Sequence, residues 1–193
     1  MKEVLLMITD GFADWEAAYV TAELNQPGTG FRVRTIAIDL EPKVSMGGLR
    51  VLPDYSVKEY LPEAKPAMLI ISGGTGWGED KHVQLKELVA YCTREDIPVA
   101  AICDATTFLA RHGFLDHTGH TGNTLPFLKE GAPSYRGEAF YTDAQSVSDG
   151  NLITANGSGA LEFSAHILEK LGVLEGEKLQ EWYTVLKKGY FPA

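Results

Sequence analysis

Cys103 has the setting in which a side chain could do covalent chemistry. In Ala100-Ala101-Ile102-Cys103-Asp104-Ala105-Thr106-Thr107 an apolar run stops at the cysteine, and a helical pattern of small or short side chains begins. A residue at such a strand-to-helix elbow stands on a tight, strained turn that demands small neighbours two positions away. Ala101 and Ala105 meet that demand less fully than glycine. The helix start adds partial positive charge and free amides, which favour a thiolate over a thiol. The expectation is a reactive Cys103 with a pKa below the free value of about 8.5. A small buried hydrophobe, a common fate of free cysteine, fits the same segment. Cys92 lies inside VQLKELVAYCTRE, with neither elbow nor turn, and reads as structural.

Ser72-Gly73-Gly74-Thr75-Gly76 is a second feature, because its glycines can turn backbone amides toward an anion. It lacks the lysine and hydroxyl of GxxxxGK[ST] and the spacing of GxGxxG, so it is not a nucleotide loop. His112 and His117 fall at the end of the elbow helix and in the turn after it, where the helix dipole accounts for them. His82 and His166 read as helix-surface residues. None of the histidines has acids or cysteines at metal-ligand spacing on one face, so neither a metal nor another cofactor is expected.

The elements that must position these residues follow from periodicity. Short apolar runs at 3–9, 31–38, 67–72, 97–103 and 151–156 read as buried parallel strands. Between them, Asp14 to Leu24, Lys81 to Arg94, Ala105 to His112 and Leu161 to Leu171 are amphipathic and spaced as crossover helices. Residues 44–53 and 139–147 break the rhythm and read as hairpins. The last 20 residues read as a closing helix with Trp182, Val185 and Leu186 inward. The expected architecture is α/β, a helix-sandwiched, mostly parallel sheet in one domain over residues 1–193.

The 193 residues carry a formal charge of −9. That leaves no basic stripe for nucleic acid or an anionic lipid surface. No apolar run reaches the roughly 20 residues of a membrane span, and the first residues pass into an acidic turn without a small-residue cleavage site. Two cysteines in unrelated contexts offer no disulfide framework, which fits a reducing cytoplasm.

Four segments occur in order, each ending an expected strand: TDGFADWEAAY, LIISGGTGWG, AAICDATTFLA and TANGSGALEF. Together they resemble the PfpI/ThiJ superfamily of class I glutamine amidotransferase-like proteins over nearly the whole chain. HTGHTGN, leading to Asn123, resembles a bacterial subgroup of uncharacterised proteases. The resemblance implies a flavodoxin-like fold with a nucleophile elbow at Cys103 and an acid beside it, Glu16. A carboxylate pressed on a thiolate would repel it, so Glu16 is expected to be a protonated, buried partner. An ordinary surface acid in a helix's first turn is the alternative for Glu16, and the one that suits Asp10 and Asp14. The resemblance further implies an oxyanion hole from the amides of Gly74 and Asp104, with Trp15, Gly73 and Asn123 around the pocket.

The chain departs from the family pattern where it matters. Many members carry histidine just after the cysteine, where this chain has Asp104; others carry one about twenty residues on, at Asn123 here. His120, three residues earlier on an extended segment, should face away if Asn123 faces in. The proton would then be managed by Glu16 and Asp104, as in a cofactor-free hydrolase or lyase of small amide or carbonyl compounds: protease, amidase, deglycase or glyoxalase-like. The alternative is a non-enzymatic stress or redox protein sensing oxidants through Cys103. Family members commonly form homodimers, for which Tyr19 and Val20 offer apolar contacts.

Overall fold

The computed structural model describes residues 1–60, 65–78 and 82–190. Its frame is a seven-stranded sheet in the order β5-β2-β1-β6-β7-β9-β8. The long strands are β1 (Lys2–Met7), β2 (Phe31–Ala37), β6 (Met68–Ile71), β7 (Val99–Ile102) and β9 (Leu152–Ala155). All five pair in parallel; β8 (Ser146–Asp149) runs antiparallel to β9, and the short β5 (Tyr55–Ser56) closes the other edge.

Alternation along the strands explains why these runs are apolar without interruption. Side chains point to opposite faces in turn, and here both faces are covered. Leu5, Met7, Leu69, Ile71, Val99 and Ala101 face one cluster, with Trp77, Leu85 and Phe108. These come from a 3-10 turn (Thr75–Gly78), α2 (Val83–Arg94) and α3 (Asp104–Arg111). Val4, Leu6, Met68, Ile70, Ala100 and Ile102 face the other. That cluster takes Val20 and Leu24 of α1 (Ala18–Leu24), Phe163 and Ile167 of α5 (Ala160–Lys170), and Trp182 of α6 (Gly176–Lys188). Each large side chain so buried contributes roughly 1.5–3 kcal/mol, so the two clusters fix the strand ends that carry the site.

Several expectations are corrected. The helix expected from Asp14 begins at Ala18, because residues 14–17 form turns. Asp10 and Asp14 therefore do not serve a helix start; they hold a hairpin of β3 (Lys43–Val44) and β4 (Arg50–Val51). Asp10 Oδ1 accepts from the Val44 amide at 3.0 Å, and Asp14 accepts from Ser45 and from the Gly47 amide at 2.7 Å. The hairpin expected at 139–147 is displaced: 138–140 is a 3-10 turn, and the hairpin is β8–β9, reversing at Gly150 with φ 57°. α6 buries no residue fully: Trp182 packs partly, while Val185 and Leu186 are exposed. Val20 is fully buried, so of the two apolar contacts expected for a dimer Tyr19 alone is accessible. His82 is buried, its Nε2 2.9 Å from the Gly76 carbonyl, and His166 is half-buried against Ser146 at 2.9 Å. Lys81 and Phe191, within the expected helices, lie outside the described residues. One helix escaped notice, α4 (Leu125–Gly131), capped by Thr124, whose hydroxyl accepts from Phe127 N.

Candidate active site

Four loops meet at the carboxyl ends of β1, β6, β7 and β9, beside the point where strand order reverses, as ligand sites in open α/β sheets do. Cys103 follows β7 with φ 59° and ψ −131°, a conformation that non-glycine residues avoid. The elbow is held by its flanks: the Cys103 amide donates to Ala155 O at 2.9 Å, and its carbonyl accepts from Thr106 N and Oγ1 at 3.0 and 2.6 Å. The strain, on the order of 1–3 kcal/mol, is stored where the sulfur must project. The thiol itself is partly exposed.

The other loops press on it closely. Gly73, after β6, lies so near that a Cβ there would fall 2.6 Å from Cys103 Cβ and 2.9 Å from Glu16 Oε2. Gly157, after β9, would put a Cβ 2.9 Å from Cys103 Sγ. At Gly73 a Cβ would also strike backbone, Ile102 O at 2.7 Å, whereas at Gly157 it would meet side-chain atoms only. Gly74 has φ 118°, and its hypothetical Cβ would strike Gly11 O at 2.1 Å.

Glu16, in the turns before α1, is fully buried. Its Oε2 accepts from the Gly73 amide at 2.6 Å, and its Oε1 has no hydrogen-bond partner among the described residues. A buried carboxyl with one idle oxygen is costly unless something beside it needs a proton acceptor. Desolvation raises Glu16 to about 7. Desolvation, and then the charge of Glu16, raise the Cys103 thiol to about 11. This overturns the expected depressed thiol: a helix start is worth about 0.3–1 kcal/mol, under one pKa unit, and burial beside a carboxylate outweighs it. The two groups titrate as a pair in which the carboxyl ionises at about 7 and the thiol at about 11. The expected protonated Glu16 beside a thiolate is thus reversed: the carboxyl loses its proton first.

Asn123 completes the contacts of the sulfur. Its Nδ2 donates to Cys103 Sγ at 3.4 Å and to Asp104 Oδ1 at 3.1 Å, while its Oδ1 accepts from the Gly157 amide at 2.9 Å. An amide orients but takes no proton. His120 is fully buried on the far side, between the Thr118 carbonyl at 2.7 Å and Tyr135 OH at 2.6 Å, as the period of an extended segment requires. Asp104 starts α3, half-buried, its carboxyl raised chiefly by desolvation. Its backbone amide, as the first of a helix, has no intrahelical acceptor. The Gly74 amide likewise meets no protein acceptor among the described residues, whereas that of Gly73 is spent on Glu16. Trp15 is exposed, and its Nε1 donates to Gly157 O at 3.1 Å, tying the loop after β1 to the loop after β9.

The structure thus gathers Cys103, Glu16, Asp104, Asn123, Gly73 and Trp15 into one set of contacts, with the Gly74 loop adjoining. Gly157 was missed, although the strand-end motif TANGSGALEF pointed at its loop. A cavity of about 260 Å³ adjoins Asp104 and one of about 330 Å³ adjoins Asn123. A larger one, about 740 Å³, lies at the other end of the sheet near Val99 and Asn151, away from the cysteine. Among the described residues no group of three His, Cys, Asp or Glu side chains could hold a metal ion, and no helix is long and apolar enough to cross a membrane.

A parallel sheet that carries a strained cysteine at a strand-to-helix elbow, beside a buried acid, defines the class. The chain belongs to the DJ-1/PfpI family, whose model matches residues 2–170. It is 36% identical over 192 residues to the uncharacterized protease YoaZ of Bacillus subtilis, covering 96% of this chain and 91% of that one. To the uncharacterized protease YdeA of the same organism it is 34% identical over 192 residues, covering 99% and 94%. The crystal structure of a thiJ/pfpI family protein from Bacillus anthracis superposes with a TM-score of 0.91 at 38% identity, covering 98% of this chain and 92% of that one.

Proposed function

We propose that the chain is a cysteine-dependent hydrolase or lyase of small amide or carbonyl compounds, with Cys103 as nucleophile and Glu16 as its base. The observation that carries this reading is Glu16 itself, fully buried against the elbow, its carboxyl interacting with the Cys103 thiol and raised by desolvation to about 7. A base poised near neutrality is the most effective proton carrier there. On an amide, Sγ would bond to the carbonyl carbon as its proton passes to Glu16, and the carbonyl π pair would move to oxygen. The amides of Gly74 and Asp104 are the donors for that oxyanion. Collapse would re-form the carbonyl, break the C–N bond and send the Glu16 proton to the departing amine, leaving a thioester for water to cleave. Asp104 is the second proton source. A screen of small amides, glyoxals and isocyanides against wild type and Cys103→Ser tests the proposal: turnover of one class by the wild type alone supports it, and identical rates for both proteins refute it.

One observation favours the alternative of an oxidant sensor. Beside Glu16, the side chain that hydrogen-bonds to the sulfur is Asn123, which cannot act as a base. Peroxide would then oxidise the thiol to a sulfenic acid, itself reduced to water, and Glu16 would hydrogen-bond to the product. Mass spectrometry after mild peroxide reads this directly. The homodimer is also a proposal; with Val20 buried, Tyr19 is the accessible one of the two residues expected at its face. A monomer by light scattering at micromolar concentration would remove it.

A further inference from the structure

The cavity of about 260 Å³ next to Asp104 has a wall composition that suggests an occupant. It is smaller than the roughly 300–1,000 Å³ that whole small-molecule ligands fill, so it suits one substituent of a substrate rather than the substrate entire. Trp77 and Phe127 provide aromatic surface, the first buried and the second exposed, and Asp104 and Glu130 provide carboxylates. Asp104 Oδ1 is taken by Asn123; among the described residues neither Asp104 Oδ2 nor Glu130 meets a cation.

The cation within the wall, Arg111, is directed elsewhere. Its Nε and Nη2 donate to Gly131 O at 3.1 and 3.0 Å, and its Nη1 donates to Trp77 O at 3.3 Å. Among the described lining residues Arg111 stands as one cationic group against two carboxyl groups, Asp104 and Glu130. Thr107, in the same wall, has a buried hydroxyl that meets no partner among the described residues. Aromatic surface together with an uncompensated carboxylate is complementary to an organic cation.

We infer that this cavity is the side-chain subsite of the Cys103 centre and that it takes a substituent ending in an ammonium or guanidinium group on a short aliphatic stem. The inference rests on the reading of Cys103 as a nucleophile, and it narrows the substrate class to amides or carbonyl compounds bearing a cation a few bonds from the reacting carbon.

Three N-substituted chloroacetamides of equal length test it, with ammonium, neutral alkyl and carboxylate tails. In each the C–S bond to Cys103 forms as the C–Cl bond breaks and chloride leaves, and the rate is read by intact mass. The ammonium probe should label Cys103 about tenfold faster than the neutral one, equivalent to about 1.4 kcal/mol. Glu130→Gln should reduce the ratio of ammonium to neutral rate at least about threefold, and Glu177→Gln, on the first turn of α6, should leave that ratio unchanged. Equal rates for the ammonium and neutral probes overturn the subsite while leaving the nucleophile intact. The same loss in Glu177→Gln also overturns it, since overall charge then explains the preference. No labelling of Cys103 by the neutral probe overturns the reactive elbow on which the subsite depends.

Discussion

Burial raises both thiols of this chain, Cys92 to about 12 and Cys103 to about 11, yet the two lie in unlike surroundings. Cys92 is fully buried in α2, in the apolar cluster that holds Leu88, Val89 and Ile97. Cys103 is partly exposed on a strained elbow, with Glu16, Asn123, Gly73 and Gly157 against it. A depressed pKa does not separate them. What separates them in structure is the neighbourhood: Cys103 has the buried Glu16 carboxyl and two close glycines beside it, which in the proposed function give the proton a destination and an electrophile a path.

The comparison breaks most visibly at the sulfur. Cys103→Ser should abolish turnover and labelling by iodoacetamide at that position, while Cys92→Ser should leave both unchanged, as peptide mapping after alkylation would report.

Glu16 offers the next largest effect, on stability. Its folded pKa of about 7 lies above the ordinary 4.5, so the folded state binds the extra proton. That contribution is fully present below about pH 4.5 and is lost as pH rises through about 7. The penalty at pH 8 is on the order of 3 kcal/mol. Glu16→Gln, which cannot ionise, should therefore be more stable than wild type at pH 8 and no more stable at pH 4.5, measured by urea unfolding at each pH.

Gly157→Ala sharpens the spatial half of the comparison. A methyl group 2.9 Å from Sγ must displace the sulfur or block its approach. Alkylation of Cys103 should slow by about tenfold or more, equivalent to about 1.4 kcal/mol, with the fold retained by circular dichroism. The smallest effect concerns strain: Cys103→Gly should lose about 1 kcal/mol less stability than side-chain truncation alone implies, because glycine accepts φ 59° and alanine does not. Equal stability of Cys103→Gly and Cys103→Ala would show that the elbow stores no strain.

Much of this was legible in the sequence because both depend on local patterns. The five apolar runs had to be buried strands, and their ends had to carry the chemistry, so Cys103 and the Gly73-Gly74 loop could be placed from spacing. Glu16 came from family resemblance, since an acid after a strand carries no mark of burial. Asn123 facing the sulfur and His120 facing away followed from the period of an extended segment. Gly157 was not legible: its constraint is the Cys103 sulfur, 54 residues earlier in the chain, and only tertiary packing brings them together. The same reason hid the tie of Asp14 to Ser45 and the burial of Val20 and His82. The thiol pKa went the wrong way because the helix dipole is visible in sequence, whereas desolvation beside a carboxylate is a property of the packed site.

The most direct test is the pH dependence of Cys103 alkylation in wild type and in Glu16→Gln, from pH 5 to 10. If Glu16 receives the proton, the wild-type rate climbs through an inflection at about 7, levels, and climbs again toward about 11 as the thiolate itself forms. In Glu16→Gln the lower inflection should vanish and the upper one should fall, because the charge that opposed the thiolate is gone. An inflection at about 7 that survives the substitution, or a thiol that titrates higher without Glu16, would contradict the pairing of these two residues.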